Sequence, residues 1–132
     1  MNVAQYFDAR AEKYEQALKS PIISRSRADE HRILNWLVLN NFSHKDPVLE
    51  IGCGTGYYTL MLSNVCKKVT AIDVSAGMLK VLNKKIKMNG TKNVEVFHTD
   101  FTQMNNKKFN SVFCASVLGY VDEPENFIKK IY

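Results

Sequence analysis

Val48-Leu49-Glu50-Ile51-Gly52-Cys53-Gly54-Thr55-Gly56 is the stretch that decides how this chain folds. Residues 48–51 read as a short buried strand, and glycines at alternate positions follow it at once. Residues 57–65 then return to helical spacing. Glycine lets the backbone adopt positive φ and lets a ligand come close to the main chain. A tight strand-to-helix turn needs one such residue, so three of them point to a ligand loop.

Outward from this loop, short apolar runs alternate with amphipathic helices. Residues 68–72 form the next strand, ending at Asp73. Ser75 is a good N-cap for a helix that stops at Asn89-Gly90. In it Met78, Leu79, Leu82 and Ile86 face inward, while Lys80, Lys84, Lys85 and Lys87 face water. Residues 94–98 and 111–115 read as third and fourth strands. Asp122-Glu123-Pro124-Glu125 opens a last helix carrying Phe127, Ile128 and Ile131. The pattern predicts an α/β fold, a Rossmann-like parallel sheet with helices on both faces. Right-handed crossovers put strands two and three on one side of the first and strand four on the other, giving the order 3-2-1-4. The ligand crevice then lies at the carboxyl end of the first strand, where the order reverses.

Upstream of the sheet the sequence is helical. Phe7, Ala11, Tyr14 and Leu18 fall on one stripe, and Ser20-Pro21 breaks the run. A second helix is expected over residues 26–40, burying Ile33, Leu34, Trp36, Leu37 and Val38. The whole is expected to be one domain, 1–132, with N-terminal helices over 1–45 and the core over 46–132.

The 132 residues suit one domain, and 45% hydrophobic with 23% charged is ordinary globular usage. The formal charge of +5 permits an anionic partner without requiring one. The N-terminus lacks the basic-then-apolar pattern of a signal peptide, and no apolar run approaches a membrane span. Cys53, Cys66 and Cys114 are scattered, which reads as reduced thiols in a cytoplasmic protein. His31, His44 and His98 are equally scattered, so no metal site is expected.

The identity of the ligand is narrowed by spacing. A GxGxxG dinucleotide fingerprint starting at Gly52 or Gly54 would need glycine where Tyr57 or Thr59 stands, and no GxxxxGK phosphate loop occurs. Asp73, 17 residues past Gly56, is placed to accept the two hydroxyls of a ribose.

These residues resemble the class I, Rossmann-like S-adenosylmethionine-dependent methyltransferases. Residues 48–56 are similar to the first motif of that family. The likeness continues through Ala71-Ile72-Asp73-Val74-Ser75-Ala76-Gly77-Met78-Leu79, through His98-Thr99-Asp100-Phe101 and, weakly, through residues 109–115. Tyr6-Phe7-Asp8 and Tyr14 are similar to the opening helix of the small-molecule branch. The resemblance implies S-adenosylmethionine as cofactor and S-adenosylhomocysteine as product. It implies that Glu50 orients the loop and approaches the methionine amine, and that the backbone at Gly52, Cys53 and Gly54, with Gly56 completing the loop, holds the methionine carboxylate and ribose. It further implies that Asp73 clamps the ribose diol, that Val74 and Met78 sandwich adenine, that Asp100 and the Phe101 amide meet the adenine edge, and that Ala115 closes the pocket beside the sulfonium.

The acceptor is less legible. Motifs of amino-methylating nucleic-acid enzymes and of cytosine C5 enzymes are absent, and the lysines near 80–92 have no interleaved aromatics for base stacking. The acceptor itself is not read from these residues; the resemblance to the small-molecule branch implies a small-molecule acceptor, with Tyr14 and Tyr120 as candidate contacts and neither nucleic acid nor membrane expected as partner. The family's later strands are missing from this sequence. That suggests a C-terminally truncated enzyme or, alternatively, a noncatalytic binding module acting through a partner. An adenosine-ligand or NAD protein is a third reading that the glycine spacing disfavours. An apolar fourth strand left at the sheet edge would favour a homo-oligomer built through it.

Overall fold

β1 (Pro47–Ile51) is the centre of a four-stranded sheet in the computed structural model, which describes residues 2–104 and 108–132. It pairs in parallel with β2 (Lys68–Asp73) on one side and β4 (Ser111–Cys114) on the other, and β3 (Val94–His98) pairs in parallel with β2. The order is β3-β2-β1-β4, as the crossover rule predicts. The register puts Ile51 beside Ile72 and Cys114, so three strands end together under the glycine loop.

Alternation along β1 divides the core into two layers. Val48 joins Leu62, Val69, Ala71, Leu79, Leu82 and Phe113 on one face; Leu49 and Ile51 join Ile72 and Phe127 on the other. The first layer is covered by α5 (Tyr57–Val65) and α6 (Ala76–Asn89), and the second by α7 (Pro124–Ile131). Ser75 caps α6 by accepting from the Met78 amide, and Gly90 ends it at φ +65°.

The N-terminal helices depart from expectation. The single stripe through Phe7 and Leu18 is two helices, α1 (Val3–Asp8) and α2 (Ala11–Leu18). The chain turns because Asp8 Oδ1 accepts from Ser75 Oγ (2.7 Å) and the Gly77 amide (2.8 Å), which fixes α1 to the start of α6. α2 then lies along α6 and is joined to it by Lys85 and Glu15 (2.8 Å). Pro21 opens a short α3 (Pro21–Ser26), and α4 spans Ala28–Asn41. Of the apolar side expected in this helix only Val38 is buried; Ile33 and Trp36 are 56% and 61% exposed. α4 packs on the body chiefly through α5, so Val38 is covered and the flank carrying Ile33 and Trp36 is not. β4 ends at Cys114 rather than at Ala115, because Ser116 takes a left-handed turn (φ +59°). Among the described residues no helix is long and apolar enough to cross a membrane.

Candidate functional site

The loop leaving β1 is fastened to the end of β2. The amides of Gly52 and Cys53 both donate to the Ile72 carbonyl (2.9 and 3.0 Å), and the Gly56 amide donates to Cys53 (2.9 Å). Gly52, Gly54 and Gly56 all have positive φ, but they serve different ends. A Cβ on Gly56 would lie 2.2 Å from Leu82 Cδ1, and one on Gly52 would lie 2.3 Å from Val117 Cγ2. These two allow close packing. A Cβ on Gly54 (φ +52°) would meet nothing within 4 Å. Gly54 lines open space.

That space is a cavity of about 830 Å³ at the carboxyl ends of β1, β2 and β4. Gly52, Gly54, Asp73, Val74, Met78, Asp100, Phe101 and Ala115 line it, as do Tyr14 and Tyr120. Ten of the expected site residues are thus brought to one cavity. Three are not. Cys53 lines a smaller neighbouring pocket, Gly56 packs on Leu82, and Glu50 lies beneath the loop. A strand residue between Leu49 and Ile51 points to the opposite face from both, which removes Glu50 from the cavity wall.

Asp73 joins the two halves of the cradle. Its Oδ2 accepts from the Gly54 amide (2.8 Å) and its Oδ1 from the Ser75 amide (2.9 Å). Burial holds the carboxyl above its ordinary range despite these donors. Asp100 Oδ1 accepts from the Thr102 amide and hydroxyl (2.7 and 2.6 Å), which caps the turn Phe101–Gln103. Phe101 stands edge-on to Phe127 with centroids 5.3 Å apart, and Lys130 donates to the Thr102 carbonyl.

Glu50 is 2% exposed, and its Oε2 has no hydrogen-bond partner. Burial raises its pKa to about 8; the Asp73 charge adds to the rise and the nearby Thr59 hydroxyl opposes it. A buried acceptor without a donor is costly, and the raised pKa keeps this carboxyl protonated at neutral pH, which lowers that cost. Burial raises all three cysteine thiols, which keeps them protonated at neutral pH. Among the described residues no group of His, Cys, Asp and Glu could hold a metal ion.

The roof comes from α1, which sequence reasoning left as helix packing. Val3, Ala4 and Phe7 face the cavity, and Phe7 meets Tyr120 edge-on at 5.1 Å. Only the Tyr6-Phe7-Asp8 resemblance hinted at this. Phe127 and Lys130, one helical turn apart on α7, complete the far wall and carried no signal of their own beyond that spacing.

The family profile described as "Methyltransferase domain" matches residues 48–132. The chain belongs to this methyltransferase family. The family's cofactor is S-adenosylmethionine, and its members are S-adenosylmethionine-dependent methyltransferases. A malonyl-[acyl-carrier protein] O-methyltransferase of Priestia megaterium is 31% identical over 108 residues, covering 77% of this chain and 37% of that protein. Ribosomal RNA small subunit methyltransferase A of Wigglesworthia glossinidia brevipalpis is 34% identical over 95 residues, covering 72% of this chain and 34% of that protein. The structure titled "DhpI-SAH complex structure" aligns with a TM-score of 0.74 and 29% identity over 97% of this chain and 59% of its own. This chain therefore spans little more than a third of those two sequence relatives. Their names include ribosomal RNA, so membership of the methyltransferase family does not by itself choose the acceptor, and the exclusion of nucleic acid draws no support from it.

Proposed function

We propose that this chain binds S-adenosylmethionine in the cavity under the glycine loop and passes its methyl group to a small molecule. The observation that carries the reading is Gly54. It is a left-handed glycine with open space where a side chain would stand, and its amide is held by the Asp73 carboxylate at the switch point of a 3-2-1-4 sheet. The residues present fit the cofactor. The cradle is one that a Cβ on Gly54 would fill, and the Asp73 carboxylate that fastens Gly54 also lines the cavity.

When bound, the cofactor supplies an electrophilic methyl group on a sulfonium. Asp73 receives the ribose hydroxyls on the lone pairs that Gly54 and Ser75 leave free. Val74 and Met78 flank the adenine, and Asp100 and the Phe101 amide meet its edge. The methionine end would pack against the loop backbone at Gly52 and Gly54, whose amides, like that of Cys53, are already committed to Ile72 and Asp73, so the loop itself would offer the carboxylate close approach rather than hydrogen bonds. Ala115 bounds the methyl group, while Glu50, turned away beneath the loop, supports the cradle without reaching the ligand. Positioning of this kind supplies much of the rate of a displacement reaction.

The small-molecule reading is supported by the roof. α1 is tied down by Asp8, and its Phe7 meets Tyr120, which roofs one side of the cavity at the scale of a small molecule. The likeness to DhpI extends over 97% of this chain and so takes in these helices. The test is incubation with methyl-labelled S-adenosylmethionine and, separately, a small-metabolite extract or ribosomal RNA. Label in the small-metabolite fraction supports the reading; label in RNA alone overturns it.

A further inference from the structure

A second pocket of about 70 Å³ opens off the main cavity on the α4 side of the glycine loop. The two share Tyr14, Gly52, Gly54, Ala115 and Ser116 along their common wall. By the reading above, that wall bounds the methyl group. The small pocket has room for about two water molecules, the size of a reacting group rather than of a whole substrate. Its far wall is built from α4 and α5. His31 stacks on Tyr57 with centroids 4.2 Å apart and meets Tyr58 edge-on at 5.9 Å. Tyr58 is 9% exposed, and its hydroxyl, which belongs to a pocket-lining residue, is buried without a hydrogen-bond partner.

Charge in the pocket is already balanced. Arg27 donates from Nε and Nη2 to Glu30 (3.2 and 3.1 Å) and from Nη1 to the Tyr14 hydroxyl (3.3 Å). Ser116 Oγ donates to Glu30 as well (3.3 Å). An anionic acceptor would find no uncommitted cation here. Burial, and secondarily the Arg27 charge, holds the His31 ring below the usual histidine range, with Glu30 opposing. The ring therefore carries a free lone pair at neutral pH.

We propose that this pocket is the acceptor subsite, that it takes a protic O–H or N–H nucleophile, and that His31 receives the proton. The inference rests on the cofactor reading above. The acceptor's lone pair forms the bond to the methyl carbon while the carbon–sulfur bond breaks and its electron pair goes to sulfur. The proton leaves the acceptor for a ring nitrogen of His31, and from this half-exposed ring it passes to solvent.

The test uses the two cofactor forms as probes. The His31 ring is titrated by NMR in the full chain saturated with S-adenosylmethionine or with S-adenosylhomocysteine. Its resonance is assigned by its loss in His31→Gln; if that variant does not fold, His44→Gln and His98→Gln assign it by elimination. The sulfonium charge should lower the His31 midpoint by a few tenths of a pH unit relative to the neutral thioether, the Coulomb effect of one added like charge within about 10 Å in water. Acetate or methylphosphonate added to the S-adenosylhomocysteine complex should leave the midpoint unchanged. Identical midpoints in the two complexes, with both ligands bound, overturn the subsite. A rise with either anion overturns the protic assignment. If neither cofactor form binds, the cofactor reading itself has failed, and the subsite fails with it.

Discussion

Asp73→Asn changes one charge and almost no volume, and the structure separates its two consequences. Each carboxylate oxygen of Asp73 accepts one amide, Gly54 at 2.8 Å and Ser75 at 2.9 Å. An asparagine keeps one acceptor and turns an NH2 group toward the other amide, so one hydrogen bond to a charged group is lost. Such a bond is worth about 1.5–3 kcal/mol. Part of that is returned, because burial already penalises the carboxylate. The ligand-free fold should lose about 1–2 kcal/mol, read as a lower urea midpoint at unchanged slope. Binding should suffer separately. If the ribose hydroxyls donate to this carboxylate, replacing it by a neutral amide costs roughly another 1.5–3 kcal/mol. S-adenosylhomocysteine affinity should then fall by about ten- to 150-fold by calorimetry. Asp73→Ala, which removes both acceptors, should weaken binding by at least about tenfold. A variant that is less stable yet binds as tightly as the parent would refute the reasoning, leaving Asp73 as a fastener of the loop and nothing more.

Other expectations follow from the same geometry. Gly54→Val should keep the fold at a cost of about 1–2 kcal/mol for its left-handed backbone and abolish S-adenosylhomocysteine binding; normal binding would sink the cradle. Glu50 has a folded pKa of about 8, above the ordinary 4.5, so the stability it allows is complete at low pH and is lost as pH rises through that window. Urea midpoints of the ligand-free chain at pH 5 and pH 8 should differ by the equivalent of at least about 1 kcal/mol, and Glu50→Gln should remove the difference. Among the described residues β4 has a strand partner on one side only, so copies of this chain should pair through its outer edge; light scattering that gives a monomer at micromolar concentration, with fast amide exchange over residues 111–115, would reject this.

What was legible in the sequence is what depends on short-range pattern. The strand–glycine–helix unit, the capping Ser75 and the order of the sheet all follow from spacing and crossover handedness, and they bring Gly54 and Asp73 together across 19 residues. What was not legible depends on partners far away in the chain. α1 ends at Asp8 because Ser75 and Gly77, nearly 70 residues on, take its carboxylate. α4 carries enough apolar side chains for a fully buried face, yet Trp36 and Ile33 stay exposed because the body covers one side of that helix, chiefly through α5. Glu50 stands next to the loop in sequence but belongs to the layer beneath it, since strand parity turns it away from the cavity. His31 read as isolated; its neighbours Tyr57 and Tyr58 reach it only once α4 and α5 pack together.

The central claim is that this cradle binds an adenosine thioether or sulfonium rather than a dinucleotide. Calorimetric titration of the chain with S-adenosylmethionine, S-adenosylhomocysteine and NAD tests it in one experiment. Saturable binding of the first two at one site per chain, with no heat from NAD, is the predicted result. Binding of NAD with none of S-adenosylhomocysteine would contradict it.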